Sequence, residues 1–140
     1  MTTSTITVTR KIRADRERVW NAITDPDLVS DWMMGATVQS DWKPGSDITW
    51  SGDYNGQQFE DRGEIIEIEP PKRLVHTHFS PMSGAEDTPD NYHRVEWTLD
   101  ERGKSTELTL EMPVDSEEQG EEFETNWGSM LDSLKTVAER

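Results

Sequence analysis

His76 and His78 stand two residues apart, a spacing that puts both imidazoles on one face of a strand. Two such rings can chelate a transition metal, but a site usually needs a third ligand. His93 lies in another hairpin and nothing in the sequence places it beside them, so no metal site is expected. The pair either faces solvent or turns inward, as the shared parity of Leu74 favours, to hydrogen-bond a polar group of a ligand. Asp61, Arg62 and Glu64 raise the same question one strand earlier. They could set a charge into a pocket as a polar anchor, or alternate onto a solvated face. No Gly-x-Ser-x-Gly elbow, Gly-x-Gly-x-x-Gly turn or Walker loop occurs. With 29 acidic residues in 140, close carboxylate pairs arise by chance and identify nothing. Any acid–base chemistry would fall to His76, His78 or Arg62, and no residue is assigned as catalytic.

The other candidates are large and apolar. Trp127 and Met130 belong to one face of a C-terminal helix on which Phe123, Leu131, Leu134 and Val137 also fall. Trp50, Trp97 and Met112 lie on the apolar faces of strands. Trp32, Met33 and Met34 end a short helix, where two adaptable thioethers beside an indole suit the lip of a pocket. Phe59 joins the lining if its strand keeps one parity. Ile65 against Ile66 and Ile68 signals a bulge that would change that. Each large aromatic serves core packing or ligand contact equally well.

The elements that would hold these residues follow from local patterns. Ile6, Val8 and Ile12 alternate as a half-buried strand. Asp15 offers an N-cap to a helix through Val19, Trp20 and Ile23, and Asp25-Pro26 starts a second helix carrying Leu28, Val29 and Trp32. Val38, Ser40 and Trp42 share a strand face, Lys43-Pro44-Gly45-Ser46 turns, and Ile48 with Trp50 forms the next strand. Asn55-Gly56 is a strong hairpin signal into a long strand from about Gln57 to Glu69. Pro70-Pro71-Lys72 closes that strand; Leu74 to Phe79, Val95 to Leu99 and Leu108 to Met112 are three more, with a loop over Ser80 to Asn91. Ser116-Glu117-Glu118-Gln119 suits a capping box for a final helix of about six turns. The order is strand, two helices, six strands and a long helix, in one domain over residues 1–140.

Net charge is −15, which repels polyanions and argues against nucleic acid and anionic membrane surfaces. The absence of cysteine excludes disulfides, thiolate metal sites and cysteine nucleophiles. Met1 to Thr9 shows no apolar run of signal-peptide kind and no stretch approaches a membrane span, so the cytoplasm is the expected location. The acidic run Asp115, Glu117, Glu118, Glu121, Glu122, Glu124 is read as a solvated helix start, with an electrostatic docking surface as the alternative.

Three segments in order, RKIRADRERVWNAITDPDLVSDW, GEIIEIEPPKRLVHTHF and NWGSMLDSLKTVAE, resemble the START/Bet v 1-like (SRPBCC) superfamily, in the branch of activators of the heat-shock-protein-90 ATPase. The resemblance runs from about Thr5 to Glu139. It implies an α+β helix-grip fold, a curved antiparallel β-sheet of about seven strands wrapped around the C-terminal helix, with a cavity roofed by the two short helices. The expected function is binding of a small apolar molecule by Trp32, Met33, Met34, Trp50, Phe59, Trp97, Met112, Trp127 and Met130, with His76 or His78 as polar anchor and no cofactor. The alternatives are a protein-interaction role with a chaperone-type partner and a cyclase- or hydrolase-like enzyme. A homodimer is common for domains of this size.

Overall fold

The computed structural model describes residues 4–33, 35–54, 56–81, 84, 86–114 and 116–140. Strand β1 (Ser4–Ile12) leads into α1 (Arg16–Thr24) and α2 (Pro26–Trp32), capped by the Asp15 and Asp25 carboxylates, which accept from the N–H groups of Arg18 and Asp27. Then come β2 (Thr37–Ser40), β3 (Asp47–Tyr54), β4 (Gln57–Glu69), β5 (Arg73–His78), β6 (His93–Arg102), β7 (Ser105–Val114) and α3 (Glu117–Ala138). The strands form one antiparallel sheet in the order β1-β7-β6-β5-β4-β3-β2, and α3 packs chiefly along β1. Element order, strand number and the α+β helix-grip architecture are those expected.

Two glycines explain the seat of α3. A Cβ on Gly120 would come within 3.1 Å of the Ile6 side chain, and one on Gly128 within 3.0 Å of the Arg10 guanidinium. Arg10 shares the inner face of β1 and bonds Asp132 of α3 through Nε at 2.7 Å. The helix therefore lies low on the β1 edge. Leu131 and Leu134 in its second half are buried, while Phe123, Trp127 and Met130 are only partly covered. The Ser116 hydroxyl accepts from the Gln119 N–H at 3.1 Å, closing the first turn. Ser116→Ala should cost about 1 kcal/mol, readable as a lower urea midpoint with unchanged slope.

Long-range pairing settles the ambiguous parities. A bulge falls between Ile65 and Glu67, so Ile65 and Ile68 both face inward, opposite His76 and Leu74, while Ile66 is exposed. Ahead of the bulge, Asp61 and Phe59 keep the inward parity of Ile65, opposite Trp50 and Gly52. Trp42 departs from expectation: β2 ends at Ser40, and Trp42 sits in the following turn at φ 55°, half-buried against the core.

Candidate functional site

The inner face of the sheet carries a chain of aromatic rings. Trp32 meets Trp97 edge-on at 6.5 Å between centroids, and Trp97 meets Trp127 at 6.0 Å. Trp50 lies 5.1 Å from His76 and 5.4 Å from His78, which is itself 6.2 Å from Trp127. The register causes this convergence: Leu74 pairs with Trp97, His76 with Val95 and with Ile65, placing the even-numbered residues of β5 under the helix. Both histidines thus take the inward alternative.

His76 is fixed. It is 1% exposed, and its Nε2 accepts from the Trp97 indole N–H at 3.0 Å. An indole can only donate, so the proton must sit on Nδ1, which donates to the Thr77 carbonyl at 2.8 Å. Burial pushes its pKa from 6.5 to about 4; the Thr77 carbonyl opposes that shift and His78 adds to it. With both nitrogens committed, His76 is a neutral structural ring near pH 7 and has no nitrogen left for a guest.

His78 differs. Its Nε2 lies 3.0 Å from Asp61 Oδ2, and both side chains are 18% exposed. Asp61 Oδ1 is buried with no partner among the described residues. Gly63 brings the two together, because the Thr77 carbonyl lies where a Gly63 Cβ would be, only 1.8 Å from it. On either side of this pinch, Arg62 bonds Phe79 through both backbone groups and Ile65 pairs with His76. Arg62 and Glu64 take the outer face, with Arg62 on Asp87 at 3.0 Å. Of the three charged candidates on β4, only Asp61 turns inward.

Open space between sheet and helix survives beside the first half of α3. A cleft of about 430 Å³ is lined there by His78, His93, Met112, Phe123 and Trp127, with Ser80, Asp90, Asn91, Gln119 and Glu122 at its polar margin. Trp32, Trp50, Trp97 and His76 instead pack behind Trp127 in the buried core. At the expected lip, Trp32 is buried with its indole N–H on the Ala22 carbonyl, and Met33 is half-covered. Met34 lies outside the described residues. Met130 is partly covered against the core, and Phe59 sits half-buried against Gly52, away from the cleft.

His93 is the residue that sequence reasoning left without a place beside the other histidines. It pairs directly with His78 across β5 and β6 and lies 5.3 Å from the Phe123 ring. Its position depends on the path of the preceding loop, where a short 3-10 turn (Pro89–Asn91) feeds β6. Among the described residues no group of three or more His, Cys, Asp or Glu is arranged to hold a metal ion.

A second groove, about 630 Å³, lies on the outer face between Asp47, Glu60, Arg62, Glu64, Thr77, Asp87 and Tyr92. Its lining carries charged side chains of both signs and lies on the opposite face of the sheet from α3.

A seven-stranded antiparallel sheet gripping a C-terminal helix, with an aromatic-walled cleft between them, defines a protein of the helix-grip class. The chain belongs to the Activator of Hsp90 ATPase homolog 1-like protein family, within the SRPBCC superfamily, whose model matches residues 13–139. The fold of this superfamily generally binds small hydrophobic ligands. Among solved structures, ChR145 from Cytophaga hutchinsonii is 38% identical, with 99% of this chain and 97% of that chain covered and a TM-score of 0.85. CalU16 from Micromonospora echinospora is 27% identical over 97% of this chain and 76% of that one, with a TM-score of 0.76. MLL2253 from Mesorhizobium loti, 24% identical with 96% of each chain covered and a TM-score of 0.75, shows the same fold. No curated protein matches the chain. No helix among the described residues is long and apolar enough to cross a membrane.

Proposed function

We propose that this protein is a small-molecule binding module whose site is the cleft beside the first half of α3, with Trp127, Phe123 and Met112 as apolar walls. The observation that carries this reading is the partial exposure of Trp127 and Phe123 around one concave space of about 430 Å³, which the buried Met112 also lines. That volume falls in the usual range of ligand sites, which join apolar lining to a few placed polar groups. A two-ring guest removing about 250 Å² of apolar surface from water would gain about 6 kcal/mol. Association costs reduce this, so affinity in the micromolar to millimolar range is expected.

A protein-docking role has less support. Among the described residues, Ile66 alone is an exposed large hydrophobic, so a partner would lack an apolar patch on which to dock. The acidic residues Glu117, Glu118, Glu121, Glu122 and Glu124 are each exposed, as a solvated helix start requires.

Native mass spectrometry against a panel of two- and three-ring aromatic compounds tests the binding reading. A one-per-chain adduct is expected, weakened at least tenfold in Phe123→Lys, which sets a charge into the apolar wall. A mass unmoved by the whole panel, or an adduct indifferent to Phe123→Lys, would overturn the assignment.

A further inference from the structure

We propose that His78, held by Asp61, presents a hydrogen-bond acceptor in the wall of the cleft, and that the preferred guest is a neutral aromatic molecule bearing an acidic hydroxyl, a phenol or an enol. This rests on the binding reading above and narrows it to a ligand class.

Three observations converge. His78 lines the cleft, and its Nε2 is turned onto the Asp61 carboxylate at 3.0 Å. A carboxylate accepts only, so it holds the Nε2–H tautomer and leaves a lone pair on Nδ1. Nδ1 makes no hydrogen bond to the described residues, which leaves an oriented acceptor beside an apolar wall. Asp61 Oδ1 is buried and unpartnered, so the carboxylate's only direct compensation among the described residues is this imidazole. Buried polar atoms without partners are uncommon in folded proteins and call for an explanation.

The margin of the cleft decides what kind of donor fits. Asp90 and Glu122 stand there, and the described lining contains no Lys or Arg. A carboxylate or phosphate guest would approach two like charges with no cation to receive it. A neutral hydroxyl meets no such opposition and can donate to Nδ1. Trp127 and Phe123 then contact the ring that carries it, as aromatic faces and edges favour. Asp61 is a positioning residue: it touches no guest and acts by holding the imidazole tautomer. Gly63 serves the same end from the backbone, since the pinch it permits sets the separation of β4 and β5 beside the dyad.

The test compares 2-naphthol with 2-methoxynaphthalene by isothermal titration calorimetry; the two share a ring system and differ in the donor. In the unaltered protein the naphthol should bind about tenfold more tightly, the worth of one good hydrogen bond to a polarised acceptor. The double variant Asp61→Leu/His78→Phe, which keeps a ring against Trp50 and Trp127, should bind both compounds equally, at the affinity of the ether. In Asp61→Leu alone, ring ¹⁵N shifts of His78 should show the loss of the single Nε2–H tautomer, which a merely structural carboxylate would not control. Equal affinities in the unaltered protein, or a preference surviving the double variant, would overturn the dyad and leave the cleft reading standing. Failure of both compounds to bind would overturn the cleft reading, and the dyad with it.

Discussion

Gly63→Ala should unfold the protein or leave it too unstable to purify. The added methyl would sit 1.8 Å from the Thr77 carbonyl oxygen and 2.6 Å from its carbon, and both belong to the backbone of a central strand pair. No rotamer relieves such a clash, so β4 and β5 must part. That would disturb the Arg62–Phe79 bridge, the bond from the Glu64 N–H to the Thr77 hydroxyl and the Asp61–His78 contact. The expected loss is on the order of 4 kcal/mol or more, the range reserved for backbone conflict in a core, against a total stability of about 5–15 kcal/mol for an ordinary domain. Gly84→Ala is an informative contrast: its φ of 83° is one that side chains rarely adopt, but a Cβ there meets nothing within 4 Å, whereas Gly63 has no positive φ and no space. Guanidinium unfolding of the two variants should show a collapse for Gly63 and a small effect for Gly84. Comparable midpoints would mean that β4 and β5 do not approach as described.

The second large effect is acid sensitivity centred on His76. Its pKa is about 4 in the folded chain, against 6.5 when unperturbed, because burial disfavours the charged ring. The folded state thus binds this proton more weakly than the unfolded state. Its contribution to stability is complete above pH 6.5 and is lost as pH falls through 4. Each unit within that window removes about 1.4 kcal/mol, roughly 3 kcal/mol in all. Protonation would also set an N–H of His76 against the Trp97 N–H that now donates to it. The matched control is His76→Leu/Trp97→Phe, which removes both ends of the bond so that neither partner is left unsatisfied. Stability measured by urea unfolding from pH 7.5 to 4 should fall more steeply in the unaltered protein than in the double variant. Parallel curves would show that His76 is not held neutral by its surroundings.

Sequence and structure agree wherever local chemistry decides the outcome. Asp15 and Asp25 mark the helix starts they cap, and the period-two runs of β3, β6 and β7 bury the faces expected of them. Ser116 caps α3, whose apolar stripe meets the sheet. What local pattern could not reveal was contact made across the sheet. His78 and His93 are fifteen positions apart with a loop between them, and only the register of β5 on β6 makes them neighbours. Asp61 reads like its neighbours Arg62 and Glu64, since the run from Glu60 to Glu64 holds no apolar side chain to mark parity. The isoleucines beyond them fix it only once the bulge after Ile65 is located.

The candidate site was legible as a set of residue types more than as a place. Trp97 and His78 do meet Trp127 of α3, with His76 bonded to Trp97. Yet an indole that fills a core and one that walls a cleft have the same spacing, and which is which depends on how low α3 sits on β1. Gly120, Gly128 and Arg10 control that height. Their signal was present, two glycines eight apart on a helix and a cation within an apolar strand, but only the packed structure gives it meaning. Trp32 and Met33, at a helix end beside a loop, had the sequence marks of a rim; Trp32 is buried in the core and Met33 is half-covered against it.

The most direct test of the central claim is a ¹H–¹⁵N and methyl NMR titration of the protein with 2-methoxynaphthalene. The account predicts saturable shifts concentrated on the Trp127 indole N–H, the Met112 methyl and the backbone of Phe123 and His78, with the outer-face groove around Arg62 and Tyr92 unmoved. Shifts confined to that outer groove, or no saturable change at millimolar ligand, would contradict the cleft as the binding site.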